Sequence, residues 1–127
     1  MRLINYGCGE ITDRLSILSL KILHGAEAGK EIGHFEQERN ALLTKLAGRT
    51  LNGSWFEQAL ALGAVNAALW QAEDDLRGWR AQSTGGVAIA QAIVDLACRI
   101  QALNDRRADL IGQINARTGE KQGAEKL

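Results

Sequence analysis

Arg107 is the residue whose placement most demands a chemical explanation. It falls in the middle of an apolar stripe at helical spacing, between Leu103 and Leu110. A guanidinium there must be paired or must line a pocket, because burying a lone charge is very costly. Asn104 lies one turn before it, and Asn115 sits on the same flank further on. With the preceding turn centred near Ser83, position 107 faces position 59, which leaves Glu73 roughly 20 Å away along its helix. The expected partners are therefore Glu10 and Asp13, or a residue of a second copy. Glu10, Asp13, Asn104 and Arg107 then either line a polar pocket or form a buried ion pair that fixes helix order.

Asn66, Trp70, Glu73 and Arg77 make a second constellation, recurring at 4-3-4 spacing beside a core stripe. On one reading Glu73 and Arg77 pair at i,i+4 and leave Arg77 able to meet an anion. On the other they are an amphipathic rim, with Trp70 tucked under Arg77 and the ion pair contributing little.

Other chemistries find less support. Glu10 and Asp13 suit the positive end of a helix dipole whatever else they do. Glu10-x-x-Asp13 also has the spacing of a magnesium-holding carboxylate pair, as in all-α nucleotide pyrophosphohydrolases. Glu73-Asp74-Asp75 cannot complete it, since adjacent residues diverge by about 100° around a helix. Gly7-Cys8-Gly9 lacks the third glycine of a dinucleotide fingerprint, Thr12 standing in its place. Cys8 has no histidine near it in sequence and is not read as a nucleophile. His24 and His34 lack zinc-type spacing. No cofactor is expected.

The elements that must position these residues are helices. Proline is absent and Val supplies few residues, whereas Ala and Leu are abundant, which favours helix over sheet. Glycines punctuate the chain. The first helix is predicted over 10–24, its face formed by Ile11, Leu15, Leu18 and Ile22, and apolar enough to sit centrally. A second is predicted over 30–47. A third spans 54–80, opened by a capping box of Ser54 and Glu57 and carrying Leu62, Val65, Leu69, Ala72, Leu76 and Trp79 as core. A fourth spans 87–117, with Ile89, Ile93, Leu96, Ile100, Leu103, Leu110, Ile111 and Ile114 on one face, stopped by Thr118-Gly119. The short turn at 81–86 makes the last two an antiparallel hairpin, and the first two form a shorter one. The expected fold is all-α: a four-helix bundle made of a short and a long antiparallel hairpin, in one domain over 1–127 with a polar tail at 118–127. Part of the long hairpin is left uncovered, which points to a homodimer.

The chain has 127 residues, 46% of them hydrophobic, enough for one core. Fifteen basic residues balance fifteen acidic ones. Arg99, Arg106, Arg107 and Arg117 share a helix but not a face, so no nucleic-acid partner is expected. No uninterrupted apolar run reaches membrane length, and residues 1–10 do not read as a secretory signal. Two cysteines without a CxxC fit a reducing compartment. No membrane partner and a cytoplasmic location are therefore expected.

Three segments together resemble an uncharacterised bacterial family of small all-helical domains of unknown function. Residues 9–18, GEITDRLSIL, resemble its GELxDKxxIL opening. Asn66 to Arg77 resembles its NxxLWxxEDxIR segment. Asn104-Asp105-Arg106-Arg107-Ala108 with Ile114-Asn115 resembles its NDxRA…EIN ending. The resemblance covers nearly the whole chain, with Arg14 for the usual Lys, Gly112-Gln113 for the usual charged pair and no aromatic at the end. It implies a helical domain that stands alone or beside tetratricopeptide-type repeats, with a loose link to surface-polysaccharide gene neighbourhoods, and implies no activity or cofactor. The motif positions it carries over are Glu10, Asp13, Asn66, Trp70, Glu73, Arg77, Asn104, Asp105 and Arg107. The functional expectation is a non-enzymatic, homodimeric module that binds a partner protein or a small anionic ligand, with the magnesium-dependent helical enzyme as the alternative.

Overall fold

The computed structural model describes residues 7–82 and 86–119. The expectations placed on residues 1–6, on the turn centre at Ser83 and on the tail beyond Gly119 lie outside them. Among the described residues the protein consists of four helices and no strand: α1 (Cys8–Glu27), α2 (Gly33–Ala47), α3 (Gly53–Arg80) and α4 (Gly86–Arg117).

Helix α1 continues past Gly25, where the sequence suggested a break. One interior glycine costs only about 1 kcal/mol, and tertiary contact carries the helix through. It is closed instead at Gly29, whose φ of 70° is left-handed and free of the Cβ penalty. The Gly29 and Lys30 amides donate to Ala26 and Gly25 carbonyls at 3.0 and 2.9 Å. These closing residues delay α2 from position 30 to Gly33.

The predicted capping box on α3 is not formed. Asn52 is the cap, its Oδ1 accepting from the Trp55 amide at 3.0 Å. Ser54 lies inside the helix, and its Oγ accepts from Arg117 Nη1 at 2.8 Å. Asn and Ser are comparable caps, so the backbone entering at Asn52 decides. Helix α4 stops as expected, with Gly119 at a φ of 76°.

Helix α1 touches all three other helices, α3 and α4 pack along one another, and α2 packs on α1. The core is gathered at one end. Cys8, Ile11, Leu18, Leu42, Leu46, Leu62, Leu110 and Ile114 are buried there, with Trp55, Val65 and Ile111 packed against them. Burying a Leu or Ile side chain is worth about 1.5–3 kcal/mol. Gly9 permits the closest approach of α1 to α4. A Cβ there would run into the Ile111 carbonyl oxygen and lie 3.0 Å from Asn115 Oδ1.

Among the described residues the other end of the α3–α4 pair is open. No residue of α4 before Leu110 is buried. Ile89, Ile93, Leu96, Ile100 and Leu103 are half-buried. Val94 is 53% exposed and Val87 87%. Although no apolar run is unbroken, an 18-residue window in α4 has a mean hydropathy of 1.4 with none of it buried. By length and composition α4 is thus long and apolar enough to cross a membrane, a property that run length alone had concealed.

Candidate functional site

Asp13 organises a polar seam where α1 crosses α3 and α4. It lies in the second turn of α1, on the face that also buries Ile11 and Thr12. Arg107 approaches from α4 in a two-pronged contact: Nε donates to Asp13 Oδ1 at 2.9 Å and Nη2 to Oδ2 at 2.6 Å. This planar match of guanidinium and carboxylate is among the stronger charge-assisted geometries. Asn66 on α3 completes the junction, its Nδ2 donating to Asp13 Oδ1 at 2.9 Å and to Ser16 Oγ. The Asp13 side chain is 9% exposed and that of Arg107 33%. Hydrogen bonding to Asp13 holds the guanidinium above its ordinary pKa; burial opposes this, and the charges of Asp13 and Glu73 add to it.

A second junction lies one turn closer to the start of α1. Asn115, fully buried, accepts from the Gly9 amide at 2.7 Å. Its Nδ2 donates to Glu10 Oε1 at 3.0 Å. The amide it satisfies is one that a helix N-terminus cannot satisfy itself. Nearby, Trp55 Nε1 donates to Thr12 Oγ1 at 3.0 Å, and Thr12 donates to the Cys8 carbonyl at 2.7 Å. On the outer side Arg14 grips Glu38 of α2 at 2.7 and 2.9 Å. That hydrogen bond, with the Arg14 charge, holds the Glu38 carboxyl below its ordinary range against the effect of burial.

Asp13, Asn66 and Arg107 are therefore brought together, and Glu10 joins Asn115 in the adjoining junction. The partner of Arg107 comes from α1, one of the two sources considered. Three other expectations are corrected. Arg77 does not pair with Glu73; it is exposed and meets Asp74 at 3.3 Å, because Asp74 stands on the same outward side of α3. Trp70 is not tucked under Arg77 but stacks on His24, with centroids 4.6 Å apart and planes at 12°, because α1 packs against α3. Asp105 faces outward, exposed, accepting from Gln101 at 3.0 Å.

Arg107 pairs with Asp13 and not with Glu73, as the distance argument required, but the register behind that argument is corrected. Gln58 donates to Gln113 at 2.9 Å and Arg117 to Ser54 at 2.8 Å. These contacts shift the hairpin register so that Arg107 lies level with Ala64, not Ala59. Glu73 and Arg107 consequently line one hollow of about 210 Å³ with Lys21, Asn66, Trp70 and Asn104. The half-buried Lys21 and Arg107 and the exposed Glu73 at its edge could orient a small polar ligand.

Thr12, Ser16, Lys21 and the part played by Asn115 escaped the sequence reading. Asn115 carried the best signal, an amide directly after Ile114 on a face otherwise apolar. The carboxylates of Glu10 and Asp13, candidates for magnesium, are held by Asn115 and Arg107. Among the described residues no three His, Cys, Asp or Glu side chains converge as a metal cage would require. Comparison with family models, curated proteins and solved structures yields no match to this chain.

Proposed function

We propose that the protein is a non-enzymatic, homodimeric binding module, a four-helix bundle of a short and a long antiparallel hairpin whose open end is covered by a second copy. The observation that carries this reading is the change in burial along α4. Leu110 and Ile114 are buried, while Ile89, Ile93, Leu96, Ile100 and Leu103, at the same helical spacing, keep one flank in solvent. Helix α4 has 32 residues, α1 20 and α2 15. At 1.5 Å per residue α4 outruns α1 by about 18 Å. Two hairpins packed face to face by a two-fold axis would cover both flanks at once.

A bilayer fits this surface less well than a second copy. Asp95, Arg99, Gln91 and Gln101 interrupt the apolar window, and a charge at the centre of a spanning helix costs about 2.5–3.5 kcal/mol. Cys8 is buried and Cys98 exposed, and the two are unbridged, which accords with a reducing, cytoplasmic setting. The resemblance to the bacterial helical family supports the same reading through Glu10, Asp13, Asn66 and Arg107, whose side chains form the seam and its adjoining junction. For a magnesium-dependent reaction Asp13 would have to leave Arg107. Calorimetric titration with magnesium and a nucleoside triphosphate is accordingly expected to show no heat and no turnover.

Light scattering after size exclusion tests the dimer. The expected mass at micromolar concentration is twice the chain mass of 13.8 kDa. Val94→Glu, at a site 53% exposed, should return the monomer mass with the helical circular-dichroism spectrum intact. A monomer in the unmodified chain, or recovery of the chain on phospholipid vesicles in place of self-association, overturns the reading.

A further inference from the structure

Beside the polar hollow lies another, of about 290 Å³, lined by Lys21, His24, Gly25, Lys30, Phe35 and Trp70. Lys21 and Trp70 belong to both, so the two form one cleft divided by an indole. Together they have the composition of a small-molecule site, an apolar floor with a few polar groups at fixed places.

The charges in the cleft are unequally distributed. In the first hollow Arg107 has two of its nitrogens on Asp13, and Glu73 adds a further negative charge. An anion gains little there. In the second hollow Lys21 and Lys30 are the charged lining groups, with the His24 imidazole beside them and the exposed Glu27 carboxylate 3.8 Å from His24. Lys21 adds to the positive field on Glu38, a carboxylate already chelated by Arg14. Lys21 Nζ stands 5.3 Å from the centroid of the Phe35 ring, a cation held over an aromatic face at the mouth of the hollow. Phe35 and the Trp70–His24 stack supply flat apolar walls.

We propose that this cleft binds a small aromatic anion: a planar apolar ring in the hollow lined by the Trp70–His24 stack and the Phe35 side chain, bearing one carboxylate or phosphate group that Lys21 and Lys30 receive. The Glu73 carboxylate, across Trp70, favours a hydroxyl or amine on the opposite edge of the ring. This deepens the binding half of the proposed function and is independent of the dimer, since the cleft is built within one chain.

The test uses the full chain labelled with ¹⁵N and two probes, 2-naphthoate and 2-naphthyl phosphate, followed at the Trp70 indole and Gly25 amide resonances. Both are expected to shift these signals saturably, and the tighter of the two identifies the anionic group. The neutral 2-naphthalenemethanol should bind about tenfold or more weakly, and inorganic phosphate should leave the Trp70 signal unmoved. Lys21→Ala combined with Lys30→Ala, retaining the native spectrum, should weaken naphthyl binding about tenfold or more. Val94→Glu should leave it unchanged, which separates loss of the ligand site from loss of the dimer. Absence of saturable shifts at millimolar probe, equal affinity for the neutral alcohol, or indifference to loss of both lysines overturns the proposal. Trp70→Ala provides the second variant: retained affinity for naphthoate in that protein also contradicts it.

Discussion

The two ends of the α3–α4 hairpin are made from much the same residues, yet only one end is finished. Where α1 crosses, Leu62, Leu110 and Ile114 are buried, and several polar groups among them are bonded between helices: Asp13 with Arg107, Asn115 with Glu10 and Gly9, Thr12 with Trp55. Beyond that crossing, Ile93, Leu96 and Ile100 lie at the same spacing and stay only half-buried among the described residues. An apolar stripe is thus necessary for a core but not sufficient. A layer must lie on top, and within one chain α1 is too short to supply it.

Polar content differs as sharply. At the packed end, ions are fixed between helices far apart in sequence. At the open end, side-chain bonds run along one helix, as between Gln91 and Asp95 at 2.8 Å and between Arg77 and Asp74 at 3.3 Å. Pairs of the second kind are worth a few tenths of a kcal/mol; those of the first decide which helices meet.

Removing Asp13 should therefore produce the largest effect. Asp13→Ala leaves Arg107 half-buried without its carboxylate and Asn66 without one of its two acceptors. Breaking one side of such a pair costs about 3 kcal/mol after allowance for the third of Arg107 that solvent reaches. Urea unfolding measures it. Replacing both members, Asp13→Leu with Arg107→Met, should recover most of the loss, because an apolar pair needs no compensation. If the double variant is as unstable as the single, packing at the seam and not the stranded charge is responsible.

Gly9→Ala comes next, at about 2 kcal/mol. The new methyl group meets the backbone carbonyl of Ile111, which cannot swing aside as a side chain would. Thermal unfolding checks it. Gly63→Ala at a helix position with open space should instead stabilise by several tenths of a kcal/mol. Equal effects at the two glycines would remove the close approach of α1 to α4 from the explanation.

The smallest effect concerns pH. Glu38 ionises below its ordinary value of 4.5 because Arg14 hydrogen-bonds and faces its carboxylate. Its contribution is fully present above that value and is lost as pH falls through the lowered one. With Arg14 a third exposed, the contribution is at most about 1 kcal/mol. Glu38→Gln should be less stable than the unmodified chain at neutral pH, and the two unfolding curves should converge below the ordinary carboxylate range. Curves that stay parallel through that range would show that the α1–α2 contact does not depend on this charge.

The helices were legible in the sequence because their signals are local: periodic Leu and Ile, and glycines at the ends. So was the need of Arg107 for an acid on α1, since a charge inside an apolar stripe is anomalous wherever the chain goes. The neighbours of Glu73, Arg77 and Trp70 were not legible. They depend on the register between α3 and α4 and on how α1 packs against α3, and both are set by contacts between helices. Asp105 illustrates the same limit, since it belongs to a motif-like run beside Arg107 but points the other way.

Hydrogen exchange measured at two protein concentrations compares the ends of α4 most directly. Amides near Leu110 and Ile114 should be protected equally at both, since their cover lies in the same chain. Those from Ile89 to Leu103 should exchange fast in dilute protein and become protected as concentration rises, as a second copy covers them. Unchanged, fast exchange over that stretch at every concentration would contradict the proposal that the open end is an interface between two copies.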